Sequence, residues 1–443
     1  MNYLYFILPV LLLSACATKE ISSSSVKIDK VIFPSEHHET VDDLKNIPQN
    51  VSAYTQNITP YSFSQAKYEK RYFRIWNIDK STLSLNDAMW ADKAYRTGDT
   101  YGENLQLLQA SFFDELLANS NYNHFLTLNK KALSIKPLNI RAMPTDKPLL
   151  RDPLKAGEGF PFDYLQNSSI AANKPLLISH YSKDREWAFV ESSFAYGWVK
   201  SSDIVEIEAK YTDVWQKAEQ VFITKEGVSI YSEKGEFLFK SRIGMMLALI
   251  DEDDSSYTVL TVNKYKNRKA LYLQSTISKK IAHKGRLEFN EENINTILKE
   301  VSKTNYGWGG LYGQRDCSST LRDFYAPFGV WLARNSSQQI KEGNLISLEN
   351  LNSLEKIESI KKNAKPFRTL IYKQGHIGLY VGIKNSEIVM YQNVWGVKTK
   401  KDGIEGRFII GKPIFSTLEV GSNLSDYDKN ASMLYKLKSI STL

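Results

Sequence analysis

The chain of 443 residues contains only two cysteines, so no disulfide framework can hold it together. Histidine is scarce too, six in all, which narrows the search for acid–base chemistry to a handful of positions. No charged side chain occurs in residues 1 to 15, and the apolar run Tyr5–Leu13, broken only by Pro9, is too short to span a bilayer as a helix. A nucleic-acid signature is also missing. The net charge of +8 and pI near 9.0 suit an anionic polymer, but the basic residues are dispersed. The densest cluster, Lys264-Tyr265-Lys266-Asn267-Arg268-Lys269, reads as a solvated face, and no nucleic-acid partner is expected.

Residues 1–15 read as a signal peptide without the usual basic start. Its end, Leu13-Ser14-Ala15-Cys16, resembles the bacterial lipoprotein processing box, which implies that Cys16 becomes an acylated N-terminus; an ordinary signal peptide cut after Ala15 is the alternative. Ala17-Thr18 lack the Asp that often retains such lipoproteins at the inner membrane, so the resemblance implies a periplasmic protein lipid-anchored to the outer rather than the inner membrane. Once Cys16 is set aside, Cys317 is the one internal thiol. It is either a nucleophile or a small buried hydrophobe.

The remaining length is too great for one core and calls for several domains. Residues 16–55 are polar and aperiodic and fit an extended tether. Residues 56–135 read as an N-terminal helical domain, with Ser84 as an N-cap and a second helical stretch from Glu103 through Leu105, Leu108, Phe112, Leu116 and Leu117. Two β-rich segments follow, 136–206 and 207–284, each with the texture of a small barrel. The first holds the short runs Pro148–Leu150, Pro175–Ser179, Trp187–Val190 and Gly197–Val199. The last domain, 285–443, opens with a helix whose apolar face is Ile294, Ile297, Leu298 and Val301.

Leu321, Phe324 and Tyr325 give Ser318–Phe328 a helical apolar face, which puts Cys317 at a helix N-terminus. There the macrodipole favours thiolate over thiol, and the free N–H groups can stabilise an oxyanion. Among the histidines, His37, His38, His124, His180 and His283 read as surface or packing residues. His376 begins the strand-like run His376-Ile-Gly-Leu-Tyr-Val-Gly382, and the next strand, Ile388–Gln392, returns an amide to the same place. Gln392 can accept a hydrogen bond from the imidazole and fix its tautomer.

The ordered set Tyr306-x-Trp-Gly-Gly, Asp316-Cys317-Ser318, Gly375-His376-x-x-Leu-Tyr-Val-Gly382 and Tyr391-Gln392-Asn-Val-Trp-Gly396 resembles the NlpC family of cell-wall cysteine peptidases. Arg334-Asn335-Ser336-Ser-Gln338 and Pro366–Ile371 are similar to its branch with a helical N-terminal domain and two bacterial SH3-like barrels. The resemblance implies an α+β multidomain chain ending in a papain-like cysteine peptidase domain. Cys317 is then the nucleophile, His376 the base and acid, and Gln392 the orienting residue at a position where relatives often have His. Tyr306, Asp316, Ser318 and Ser336 match positions lining the substrate site, and Asp316 is suited either to the free ammonium of an L-Ala-γ-D-Glu stem or to a helix N-cap. Ser319 stands where many relatives have Gly.

The function implied is hydrolysis of the γ-D-glutamyl to diamino-acid (diaminopimelate) bond of peptidoglycan stem peptides by a monomer that requires no metal or other cofactor. The first barrel is expected to wall one side of the cleft, favouring stems with a free N-terminus. A noncatalytic murein-binding lipoprotein and an acyltransferase using the same Cys/His pair are the competing readings.

Overall fold

The computed structural model describes residues 40–56 and 58–443, so the segment expected to be a signal peptide, Cys16, His37 and His38 lie outside the described residues. The tether reading fails from Val41 onward. Val41 is fully buried, and Asp43 and Gln49 fasten the chain to the end of the strand Ile404–Ser416. The Asp43 carboxylate accepts from Thr417 N (2.6 Å) and Thr417 Oγ1 (2.9 Å), while Gln49 donates to Phe415 O (2.8 Å) and accepts from Phe415 N (3.1 Å). Tyr54 then stacks on Phe415 with ring centres 4.7 Å apart. That strand is the edge of its sheet, and the docked segment covers polar backbone that would otherwise be unpaired.

The helical region consists of short pieces, Gln65–Tyr72, Leu85–Ala88, Trp90–Tyr95 and Ala110–Ser120. Ser84 caps as expected, in a capping box with Asp87. The stretch Glu103–Gln109 is not helical: Leu105 has φ of 60°, and Tyr101 bridges Leu107 and Leu150 instead. Tyr68, Tyr72, Phe73, Ile75 and Trp76 bury themselves between the two β-rich domains, against Leu133 and Leu177 of one and Phe222 and Met246 of the other.

The first of these domains is a seven-stranded antiparallel sheet in the order Gln166–Ile170, Leu138–Arg141, Tyr196–Lys200, Trp187–Glu191, Pro175–Tyr181, Lys130–Ser134, Ile204–Glu206. Lys130–Ser134 lies before the boundary drawn at residue 135, yet it pairs with Pro175–Tyr181 and so belongs to this sheet. Pro148–Leu150 is not a strand; only Leu150 makes a bridge. The second domain has a five-stranded sheet, Ala270–Ser278, Ser256–Lys264, Met246–Glu252, Gln220–Ile223, Ala282–Lys284, and the hairpin Ser229–Tyr231/Phe237–Lys240.

The last domain sets helices Glu291–Val301 and Cys317–Tyr325 on a six-stranded antiparallel sheet, ordered Asn344–Ser347, Leu437–Thr442, Thr369–Lys373, His376–Lys384, Glu387–Lys401, Ile404–Ser416. Asn290 caps the first helix through Asn293 N, and its four predicted core residues have no exposed surface. Strand alternation sends Ile377, Leu379 and Tyr391 toward the helices, in one core with Leu321 and Phe324. Tyr380 and Met390 enter a second core with Leu418, Met433 and Leu434.

Candidate active site

The helix opens at Cys317 and runs to Tyr325, with Ala326–Phe328 continuing as 3-10 turn. Asp316 is its N-cap: one carboxylate oxygen accepts from Ser319 N (2.8 Å), and the Ser319 hydroxyl accepts from Asp316 N (2.9 Å). Ser319, the departure from the glycine of relatives, thus completes a capping box. The cap uses the N–H groups of Ser319 and Thr320 and that of Ser318 faces the sulfur, leaving the N–H of Cys317 for a developing oxyanion.

His376 begins the adjacent strand, and its Nε2 meets Gln392 Oε1 at 2.6 Å. The amide orientation follows from what lies behind it. Gln392 Nε2 donates to Ser416 Oγ (2.6 Å), whose own proton goes to Thr417 O (3.0 Å). The carbonyl end therefore faces the ring, Nε2 carries the hydrogen, and Nδ1 is left with its lone pair. Ser416 gave no signal in the sequence, because an isolated serine after a strand has no motif around it.

Burial dominates the electrostatics. It pushes the Cys317 thiol up to about 12, helped by the Asp316 carboxylate, while the N–H groups of Ile377 and Ser318 and the Arg334 guanidinium pull the other way. Burial also pushes His376 down to about 4, with Lys373 adding to the effect. The helix N-terminus that favours the thiolate is opposed by burial of the sulfur and by the Asp316 carboxylate. Desolvation thus favours the neutral form of both the thiol and the imidazole.

Asp316 is buried and paired with Arg334, Nη2 to Oδ2 at 2.6 Å. Arg334 also donates to Ser318 Oγ (2.9 Å) and, through Nε, to Ser168 Oγ of the first sheet domain (2.8 Å). This guanidinium holds the Asp316 carboxyl below its usual range despite burial. Ser336 is half-buried at the start of the short helix Ser336–Gln339, two residues beyond Arg334. Tyr306 shares a cleft of about 300 Å³ with His376, Gln392 and Trp395. Arg334 stood inside a recognised motif, but its role could be seen only once Asp316 and Ser168 were brought beside it.

The first sheet domain forms one wall of the cleft. Phe162 meets Trp308 and Trp395 edge to face, both at 5.4 Å. The two glycines after Trp308 permit this docking: a Cβ on Gly309 would lie 2.3 Å from Gln166 O, and one on Gly310 would lie 2.1 Å from Ser169 Oγ. Both also have positive φ, 60° and 81°. The remaining described histidines stand apart from the site. His124 and His283 are exposed, and His180 is packed in the first sheet domain against Phe189 and Trp198.

A cysteine opening a helix that packs on an antiparallel sheet, with a histidine opening a strand of that sheet, is the arrangement of a cysteine-nucleophile type of domain. Family models make it particular. Residues 303–403 match the NlpC/P60 family, 5–125 the N-terminal NlpC/P60 stabilising domain, 148–200 an SH3 domain of SH3b1 type and 210–254 an SH3 domain of SH3b2 type. The C-terminal domain thus belongs to the NlpC/P60 family, a family of cell-wall hydrolases, and the chain is a multidomain member with two SH3-like domains. Among solved structures, an NlpC/P60 endopeptidase from Photobacterium damselae subsp. piscicida is similar at 20% identity and a TM-score of 0.79, over 90% of this chain and 97% of that one. An NlpC/P60 family protein from Bacillus cereus aligns at 13% identity and a TM-score of 0.46, over 70% of this chain and 99% of that one. No curated protein matches the chain.

Proposed function

We propose that the protein is a cysteine endopeptidase that hydrolyses the γ-D-glutamyl to diamino-acid bond of peptidoglycan stem peptides. The observation that carries this reading is the His376 Nε2 to Gln392 Oε1 bond of 2.6 Å, with its amide oriented by Ser416, because it leaves Nδ1 as the base beside a helix that starts at the thiol. Starting from the neutral pair, His376 Nδ1 takes the Sγ proton as the sulfur attacks the glutamyl γ-carbonyl carbon. The oxyanion is met by the Cys317 N–H at the helix start. The imidazolium then protonates the departing amine, the C–N bond breaks, and a thioester remains. Water adds to the thioester with its proton passing to His376, and collapse releases the carboxylic acid and restores the thiol.

Asp316, ionised beside the nucleophile, supports a preference for stems with a free L-Ala ammonium, and Arg334 reduces that preference by sharing the carboxylate. Anchoring of the monomer to the outer membrane through an acylated Cys16 is part of the same proposal; Cys16→Ala should then move the protein from the detergent to the aqueous phase.

Mass spectrometry of defined muropeptides tests the reaction. The wild-type protein should release the diamino-acid half, and Cys317→Ala should release none. A preference of about tenfold, equal to roughly one charge-assisted hydrogen bond, is expected for the free over the N-acetylated stem. Cleavage at a different bond, or activity surviving in Cys317→Ala, would refute the proposal.

A further inference from the structure

The cleft continues past His376 to a part of the domain that the mechanism does not use. Lys373 and His376 are register partners across the Gln374-Gly375 turn, so their side chains stand on the same face of the sheet. Arg407 lines the same cleft, with its guanidinium against Gly157 of the first sheet domain: a Cβ there would be 2.7 Å from Arg407 Nε. A third cation, Lys398, is already neutralised, since it pairs with Glu405 and lies 3.9 Å from Asp428. Lys373 and Arg407 have no carboxylate partner among the described residues. Lys373 donates to Ala431 O (2.8 Å) and Arg407 to Gly406 O (2.8 Å), both neutral carbonyls.

Two half-buried cations facing one cleft with no carboxylate in ion-pair contact is a costly arrangement, and the carboxylate that does line the cleft, Asp428, lies by Lys398. Burial, then Arg407 and the exposed Lys436, push Lys373 down to about 8. An anion entering the cleft would relieve both groups. Which half of a substrate brings it follows from the position of His376. The base that protonates the leaving amine must stand beside the leaving half, so the cleft beyond the imidazole takes that half, and Asp316 lies toward the acyl side.

We propose that Lys373 and Arg407 form a carboxylate-binding subsite for the leaving residue, selecting stems whose diamino acid presents a free carboxylate and rejecting those in which it is absent or amidated. This rests on the reading above that the protein cleaves stem peptides. A diamino dicarboxylic acid offers a carboxylate at either end, so the one recognised is identified by amidating each end separately.

The experiment compares kcat/KM for a stem tripeptide ending in diaminopimelate, its two mono-amides, and the same stem ending in lysine. The wild-type protein should prefer the diacid over at least one mono-amide and over lysine by about tenfold to a hundredfold, the range of a charge-assisted contact. Arg407→Gln and Lys373→Met should collapse that ratio to within about twofold, and Arg407→Lys should restore part of it. Equal wild-type rates on all four stems would overturn the subsite while leaving the peptidase reading intact. If no stem is cleaved, the peptidase reading fails, and binding decides the subsite separately. Free diaminopimelate, titrated into the Cys317→Ala protein and followed by NMR, should bind more tightly than lysine and lose that advantage in the Arg407→Gln double variant. Absence of binding, or no difference between the two amino acids, overturns it.

Discussion

The two SH3-like domains are attached to the same catalytic domain in different ways. The first reaches the cleft: Phe162 packs on Trp308 and Trp395, Gln166 donates to Gly309 O (3.1 Å), and Ser168 holds Arg334. The second grips the motif from behind. Its Glu226 pairs with the fully buried Arg315 at 2.6 Å, Arg315 pairs with Asp323 of the cysteine helix at 2.8 Å, and Arg242 donates to the carbonyls of Gly313 and Gln314. One domain supplies surface to the substrate cleft, and the other supplies charge that fixes the segment leading into Cys317. Sharing a fold therefore does not give the two domains a common task.

That contrast breaks first at Glu226. Glu226→Ala leaves Arg315 with one of its two carboxylates and should cost about 3 to 5 kcal/mol by denaturant unfolding, while the ratio of rates on free and N-blocked stems stays at its wild-type value. A shifted ratio would mean that the second domain also shapes the cleft.

Acid should strain the first domain and the site together. His180 and His376 are each pushed down to about 4, in both cases chiefly by burial. Between that value and the unfolded value near 6.5 the unfolded chain binds the extra proton, so stability is complete above about pH 6.5 and is lost as pH falls toward 4. Lowering the pH from 7 to 5 should cost about 2 kcal/mol per histidine, and His180→Gln should remove about half of that dependence. The acid limb of kcat/KM should lie near pH 4 rather than 6.5, since His376 must be neutral to accept the thiol proton. A limb near 6.5 would mean that the imidazole is not desolvated.

The smallest effect is expected at Ser168. Ser168→Ala removes a single hydrogen bond to Arg334, about 1 kcal/mol, and by loosening the guanidinium that shares Asp316 should strengthen the preference for a free N-terminus slightly without shifting the acid limb. If both move together, the guanidinium acts on the catalytic pair as well as on Asp316.

What the sequence disclosed follows from where its periodic signals lie. Helix Glu291–Val301 was legible because its apolar residues repeat on one face, and the hairpin carrying His376 and Gln392 because Asn385-Ser386 supplies its turn, with φ of 51° and 69°. Gln166–Ile170 was not legible. It is Gln-Asn-Ser-Ser-Ile, and much of its surroundings comes from Gly309 and Gly310, far away in the chain. Asp43 and Gln49 escaped notice for a related reason, because side-chain to backbone hydrogen bonds leave no repeat in a sequence. The burial that opposes the Cys317 thiolate was not legible, because helix position can be read from spacing, whereas desolvation depends on everything packed around the sulfur.

The bonds from Asp43 to Thr417 and from Gln49 to Phe415 flank Ser416, the residue that orients the Gln392 amide. A pull on the chain at Thr40 first meets Asn423, which donates to Thr40 O (2.7 Å) and accepts from Asp42 N (3.0 Å), and the packing of Val41 with Val397 and Leu424, and only then these two attachments. Tension that reaches them would act on the backbone on either side of Ser416, whose hydroxyl holds the Gln392 amide against the imidazole.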